Sequence, residues 1–299
     1  MNFFTAMKPV FIMSRIFGIN DFGIHSNILE TNHHQRKYCI AYACLNLLFS
    51  LINLQIRYVE YFDKYTSKFQ ASFMYLEEIA FMTMSLFGST MIIINSNKIM
   101  NYLMKFRDKF SYFGVVNMNS LRTFNIILIL NTYARLVAAE GIYGYGAYNN
   151  YIKGDVAWWN IVLKNTGYLF TDFTYTAIFC QSVSFINILR TSYWMLNEKY
   201  LKKLLERKNH DHLKILTFCR GIDEVNKDFL HGFNFIFGPF NFWVVACSFV
   251  QIVFNTPIWF DHGFDTIQYS ELVWLGHNVI QVVIIVYLTS RTVFEVCKY

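Results

Sequence analysis

The sequence predicts an all-α fold, a polytopic transmembrane helical bundle with six spans and cytosolic N- and C-termini. Three observations favour this class. Of the 299 residues, 55% are hydrophobic and only 15% are charged, whereas ordinary soluble domains carry about 25% charged residues. Glycine (14) and proline (3) are scarce, which indicates long helices rather than strands joined by turns. The chain also contains several apolar runs of about 20 residues, the length that crosses a bilayer as a helix.

Six apolar runs define the expected spans. Their ranges are 38–58, 72–95, 123–143, 157–189, 230–254 and 272–289. The fourth run would form a helix about 50 Å long, which exceeds the hydrocarbon core of about 30 Å, so we expect it to protrude into the cytosol. The preceding segment, 1–37, has no compact apolar core ending in small residues and is therefore not a signal peptide. We expect it to remain cytosolic.

The distribution of positive charge predicts the orientation of the spans. Twenty Lys and Arg residues lie in the segments on one side of the six runs and four on the other, one of these four being Arg57 at the end of the first run. Arg135 and Lys164 lie well within runs. Cytosolic loops carry the excess of Lys and Arg. Both termini are therefore expected in the cytosol, and we expect the bundle itself to lie in the plasma membrane.

A helical cytosolic linker is expected at 190–229, between spans four and five. Apolar residues recur at helical spacing opposite a lysine-rich face from Tyr193 to Leu204, and again from Leu213 to Val225. Two interpretations remain open, a hairpin lying on the membrane surface and a packing or oligomerisation platform below the bilayer. Since the sequence shows no internal repeat, we expect 1–299 to form one transmembrane domain, with spans one to four at 38–189 and spans five and six with a short tail at 230–299.

Charged side chains within the runs are the most informative feature of the sequence. A charge at the bilayer centre costs about 2.5–3.5 kcal/mol on insertion scales, so such groups normally face the bundle interior and find partners. Arg135 and Glu140 are five residues apart in span three and cannot easily pair with each other, so their partners must lie on other helices. Lys164, Tyr168 and Asp172 are spaced by four and share one face, which we expect to look toward spans two and three.

These groups predict a small-molecule pocket open to the outside. In the expected orientation nearly all of them lie in the outer half of the membrane, together with a polar and aromatic stripe on span six. The predicted ligand-binding residues are Glu78, Arg135, Glu140, Lys164, Tyr168, Asp172, Trp274, His277, Asn278 and Gln281. The alternative is that they form ion pairs and hydrogen bonds that only hold the bundle together. Polar groups converging among aromatics suit a small organic ligand.

Other chemistry has no candidate residues in the sequence. There is no nucleophile or acid–base motif, no Gly-rich phosphate loop and no closed set of metal ligands. We therefore expect neither an enzyme nor a metal or cofactor site. Nucleic acid is not an expected partner, because the net charge of +6 is explained by the cytosolic loops of a membrane protein.

Three stretches together resemble the insect gustatory receptors, a branch of the insect chemoreceptor superfamily. They are the opening "MKPVFIMSRIFGINDFGI", the stretch "FINILRTSYWMLNEKYLKKL" with Leu196 and Asn197, and the stretch "GIDEVNKDFLHGFNFIFGPFNF" with Asn234 and Gly238. The resemblance covers essentially the whole chain. It implies a taste receptor with a cytosolic N-terminus that acts as a ligand-gated cation channel, assembled in membrane lipid as a homo- or hetero-tetramer.

The resemblance also implies a seventh span that lines the pore. The chain stops at "TSRTVFEVCKY", just beyond span six, so we expect the pore helix to be absent from these 299 residues. An odorant receptor of the same superfamily is the nearest alternative. A G-protein-coupled receptor would need an extracellular N-terminus, and a transporter is disfavoured because the two halves of the chain show no repeat.

Overall fold

The computed structural model describes residues 2–25, 28–64, 68–113, 118–153, 157–201, 212–262 and 266–297. Nearly all of them are helical, and two short strands form one hairpin near the N-terminus. The elements are α1 (Phe3–Ile16), β1 (Phe22–His25), β2 (Ile28–Thr31), α2 (His33–Lys64), α3 (Lys68–Ile94), α4 (Ser96–Phe113), α5 (Met118–Ile152), α6 (Trp158–Met195), a π-helical turn (Leu196–Leu201), α7 (His212–His262) and α8 (Thr266–Cys297). The expected helical bundle is confirmed.

Five helices within the described residues are long and apolar enough to cross a membrane. The apolar stretches lie in α2, α3, α5, α7 and α8, at His33–Asp63, Ala71–Ile94, Met118–Gly146, Cys219–Val253 and Leu272–Cys297. They include five of the six expected spans. The remaining one corresponds to α6, in which no stretch is as apolar as the stretches found in the other five helices.

Helix α6 is the central element of the bundle, which explains its polarity. It packs against α1, α2, α3, α5, α7 and α8, and every residue from Thr174 to Leu189 is buried. A helix enclosed by other helices presents no face to lipid, so polar side chains are tolerated where they find partners within the protein. Such partners exist, because Ser182 Oγ donates to Asn241 Oδ1 at 2.9 Å and Ser184 Oγ donates to Asn125 Oδ1 at 2.9 Å.

The N-terminal segment folds into the bundle, which the sequence analysis did not predict. Helix α1 has seven buried residues, among them Phe4 and Phe11, and it packs on α5 and α6. Asn125 Nδ2 of α5 donates to the carbonyl oxygen of Ala6 at 3.0 Å. After α1 the chain turns at Gly18, whose φ of +64° favours glycine. A Cβ there would also lie 2.6 Å from Tyr42 Cβ.

At the end of the bundle opposite the α2–α3 connection, side-chain hydrogen bonds join α6 and the π-helical turn to α7 and α8. Ser192 Oγ near the end of α6 donates to Asn226 Oδ1 of α7 at 2.7 Å, and Asn197 Nδ2 in the π-helical turn donates to Glu295 Oε2 of α8 at 3.2 Å. The two described parts of the segment 190–229, at the end of α6 and in the first half of α7, are thus in contact. Residues 202–211 of the linker lie outside the described part of the chain. Helix α4 (Ser96–Phe113), between spans two and three, is a further element that the sequence analysis did not predict.

Candidate ligand site

A network of charged and phenolic side chains joins α2, α3 and α6 near the α2–α3 connection. Its α2 members are Arg57, Glu60 and Tyr61, whose spacing of three and four residues places them on one face of the helix. These three residues share a helical face because α2 continues as a helix to Lys64, six residues beyond the end expected for span one. The side chain of Arg57 is only 11% exposed, so it lies inside the bundle rather than in a loop.

Lys164 of α6 is held by a carboxylate of α2. Its Nζ donates to Glu60 Oε1 at 2.9 Å and to Glu60 Oε2 at 2.7 Å. Arg57 Nη1 donates to the same carboxylate at 3.2 Å. Two cations therefore converge on one carboxylate that is itself a third exposed, and both contacts are charge-assisted hydrogen bonds, the stronger kind.

A second carboxylate, Glu78 of α3, is held by two phenols and an arginine. Tyr61 OH donates to Glu78 Oε1 at 2.9 Å, and Tyr168 OH donates to the same oxygen. Arg57 Nε lies 3.8 Å from that oxygen, and its guanidinium carbon lies 5.2 Å from the Tyr61 ring centroid and 4.8 Å from that of Tyr168. Stacking against both rings fixes the guanidinium between the two phenols.

The network confirms part of the predicted arrangement and corrects part of it. Tyr168 contacts span two through Glu78, as expected from its face of α6. Lys164 was also expected to face spans two and three, whereas its hydrogen bonds go to Glu60 of α2, the helix of span one. Arg57, Glu60 and Tyr61 were missed as site residues because span one was expected to end at residue 58 and Arg57, beside that end, was counted with the connection that follows. Their regular spacing in "RYVEY" was the sequence signal that could have revealed them.

A second polar cluster lies between α5 and α8 and contains Arg135, His277 and Gln281. Arg135 Nη1 donates to the carbonyl oxygen of His277 at 3.3 Å and Nε donates to that of Asn131 at 3.3 Å. A hydrogen bond of 2.8 Å joins His277 Nε2 and Gln281 Nε2, and both side chains are buried. The expected partner of Arg135 on another helix is thus confirmed, although it is a backbone carbonyl rather than a charge.

Glu140, five residues beyond Arg135 on α5, interacts with Asp172 of α6. Asp172 is 1% exposed, so it faces neither solvent nor lipid. Its expected orientation toward span three is confirmed, and Glu140 finds its partner on another helix as predicted. We call Arg135, Glu140, Asp172, His277 and Gln281 the polar centre.

Aromatic rings line the side of the polar centre formed by α8. The Trp274 ring stacks on that of His277 with centroids 5.3 Å apart, and Phe81 of α3 meets Trp274 edge-on at 6.1 Å. Phe81 also contacts Tyr175 of α6, with centroids 4.8 Å apart. Asn278 was expected to join this stripe, but its Nδ2 donates to Gln251 Oε1 of α7 at 2.8 Å. The structure therefore separates Asn278 from its three predicted neighbours on α8.

Four members of the polar centre have buried polar atoms with no hydrogen-bond partner among the described residues. The atoms are Arg135 Nη2, Asp172 Oδ1, His277 Nδ1 and Gln281 Oε1. Buried polar groups in proteins are nearly always paired with protein or bound water, and leaving one unpaired costs about 1–3 kcal/mol. The polar centre thus has two unsatisfied donor or acceptor sites on α8, one on α5 and one on α6. Bound water or a small polar molecule can pair with such atoms.

Within the described part of the chain, no group of three or more His, Cys, Asp or Glu residues could hold a metal ion. Comparison with protein-family models and with curated proteins found no match for this sequence.

Proposed function

We propose that the chain is a chemosensory receptor of the insect gustatory receptor type, which detects small-molecule tastants through the polar centre and the network beside it. The observation that carries the proposal is the set of unpaired buried atoms in the polar centre. Pairing with one another would satisfy these groups if they only held the helices together. Their unsatisfied hydrogen-bonding capacity instead suits a ligand that enters and leaves.

The location of both clusters supports a site that opens to the outside of the cell. Glu60, Glu78 and Lys164 all lie toward the end of the bundle that carries the α2–α3 connection. The excess of Lys and Arg in the opposite segments assigns that end to the extracellular side, following the positive-inside rule. In this orientation α1 and the ends of α6 and α8 lie at the cytosolic side of the plasma membrane.

The sequence resemblance supplies the signalling part of the proposal. It adds that the receptor acts in a homo- or hetero-tetramer of channel subunits that conduct cations when the ligand binds. The arrangement of α6 supports coupling between the two ends of the bundle, because this one helix contacts the ligand-side clusters and, through Ser192, the start of α7. A ligand that shifts α6 would therefore move groups at the cytosolic end.

Ligand-dependent thermal stabilisation of the purified chain tests the proposal. The probes are a taste panel that includes sucrose, L-alanine and caffeine. A compound that binds only the folded protein raises the midpoint of unfolding, Tm, by mass action. We expect at least one compound to raise Tm and its effect to be lost in Gln281→Leu, which removes a buried acceptor from the polar centre without changing its size greatly.

Thr289→Val on the same helix is the matched control. Thr289 is exposed and lies two turns from Gln281, so the control variant should keep the full ligand response. The proposal is overturned if no compound of the panel stabilises the wild type, or if every stabilising compound acts equally on Gln281→Leu.

A further inference from the structure

The Arg57 guanidinium lies in a cage of two phenol rings and one carboxylate. Its central carbon is 5.2 Å from the ring centroid of Tyr61 and 4.8 Å from that of Tyr168, and its Nε is 3.8 Å from Glu78 Oε1. A cation within about 6 Å of an aromatic centroid is attracted by the face of the ring. We call Tyr61, Glu78 and Tyr168 the cation cage, because all three distances converge on one positive group.

The walls of the cation cage are joined directly to one another. Tyr61 OH of α2 donates to Glu78 Oε1 of α3 at 2.9 Å, and Tyr168 OH of α6 donates to the same oxygen. Hydrogen bonds to a carboxylate are charge-assisted and therefore stronger than those between neutral groups. These two bonds do not involve the guanidinium, so another cation of similar size would meet the same three groups in its place.

The guanidinium is also tied to a group outside the cation cage. Arg57 Nη1 donates to Glu60 Oε2 at 3.2 Å, whereas the 3.8 Å separation from Glu78 exceeds the usual hydrogen-bond range of about 2.7–3.2 Å. Glu60 is a third exposed, and Arg57 lies about two turns before Lys64, where α2 ends. A long arginine side chain can bring its charged head to water while its stem stays buried. Arg57 can therefore leave the cage toward the end of the bundle and keep Glu60 as its partner.

We propose that the cation cage binds a small organic cation of the substituted ammonium class, and that Arg57 occupies the cage until this ligand takes its place. The ligand ammonium packs against the faces of Tyr61 and Tyr168 and pairs with the Glu78 carboxylate. Aromatic cages recognise quaternary ammonium ligands through the same attraction between a cation and a ring face. This assignment rests on the proposed function, since it names the ligand class for the network beside the polar centre.

Two compounds of nearly equal shape test the assignment on the wild-type chain, without relying on any variant. Choline carries a trimethylammonium group, and 3,3-dimethyl-1-butanol has a neutral tert-butyl group in its place. In isothermal titration of the purified full chain in uncharged detergent, choline should bind about tenfold more tightly or better, because both the ring faces and Glu78 require the charge. The binding of choline should nevertheless be weak, since the tethered Arg57 competes at a high effective concentration.

Arg57→Gln tests the competition between the ligand and the tethered cation. With the guanidinium removed, choline should bind at least about tenfold more tightly than it binds the wild type. Lys164→Gln removes the same charge from the network but leaves the guanidinium in the cage, so its gain in affinity should be much smaller. Lys68→Gln, which removes an exposed charge at the start of α3, is the matched control and should keep the wild-type affinity.

Equal binding of choline and 3,3-dimethyl-1-butanol to the wild type, or binding of neither, would overturn the assignment, as would equal gains in Arg57→Gln and Lys164→Gln. If sucrose, L-alanine or caffeine then stabilised the wild type but not Gln281→Leu, the receptor proposal would stand and only the ligand assigned to the cation cage would be wrong. If choline bound as expected and no compound of the taste panel stabilised the chain, the cation cage would stand and the proposed role of the polar centre would fall.

Discussion

The contact between Lys164 and Glu60 gives the sharpest quantitative prediction for the bundle. Replacing Lys164 with Met removes two hydrogen bonds of 2.9 and 2.7 Å and leaves the Glu60 carboxylate with only Arg57 as a cationic partner. Hydrogen bonds to charged groups contribute about 1.5–3 kcal/mol each. Because Glu60 is a third exposed, we expect the lower part of this range, about 2 kcal/mol for the variant as a whole.

The two residues should be energetically coupled. Glu60→Gln alone leaves Lys164 without its carboxylate, whereas the double variant restores the charge balance of the network. We therefore expect a coupling free energy of about 1–2 kcal/mol in a double-mutant cycle. A loss of about 2 kcal/mol in Lys164→Met corresponds to a fall in Tm of roughly 4–8 °C for a chain of this size, measured by intrinsic fluorescence in detergent.

A surface pair in the same protein is the matched control for the cycle. Lys105 and Asp228 approach to 3.3 Å but are 51% and 60% exposed. Exposed pairs contribute about 0.2–1 kcal/mol, so the cycle of Lys105→Met and Asp228→Asn should show a smaller coupling. Additive effects at Lys164 and Glu60, or equal coupling in the two cycles, would refute the reasoning that the network is a buried, interdependent unit.

Two further variants test the packing of α6 and of α1. Gly167→Ala should lower Tm, because the added Cβ would lie 2.9 Å from the backbone oxygen of Phe49 on α2. Such overpacking costs about 1–3 kcal/mol. The control is Gly144→Ala, which has open space around its Cβ and should leave Tm unchanged or raise it. Asn125→Ala should also lower Tm, because Asn125 joins the carbonyl of Ala6 to Ser184 and losing these hydrogen bonds costs about 1–3 kcal/mol of unfolding free energy. Unchanged Tm values in Gly167→Ala or Asn125→Ala, measured by the same fluorescence assay, would contradict these contacts.

The sequence predicted the apolar helices well because their signal is local. Length and apolarity identify a segment that can cross a membrane without knowledge of its neighbours, and α3 (Lys68–Ile94) matches the run expected at 72–95. Helix ends were less accurate. Helix α2 continues to Lys64 because Arg57, Glu60 and Tyr61 find partners on α3 and α6, and these partners depend on the tertiary fold.

The N-terminal helix shows the limit of local patterns more clearly. Helix α1 is short and contains Pro9, so its sequence gives no strong helical signal. Its apolar face becomes favourable only against the surfaces of α5 and α6, where Phe4 and Phe11 are buried. The sequence analysis could not foresee this surface, and it described 1–37 only as a cytosolic segment.

The candidate site was predicted as a set of residues but not as an arrangement. Ionisable groups in apolar runs are rare and expensive, so Arg135, Lys164 and Asp172 could be found from their cost alone. Which groups pair requires the relative rotation of the helices, which residue spacing does not give. The structure accordingly divides the predicted site into the network around Glu78 and the polar centre around Asp172, and it directs Asn278 toward α7.

The orientation of the chain is tested most directly by two epitope tags in living cells. One tag is placed at the N-terminus and the other after Lys153, in the connection between α5 and α6. We predict that antibody reaches the tag after Lys153 on unpermeabilised cells and reaches the N-terminal tag only after permeabilisation. The reverse pattern would put both polar clusters at the cytosolic side and contradict a receptor that senses molecules outside the cell.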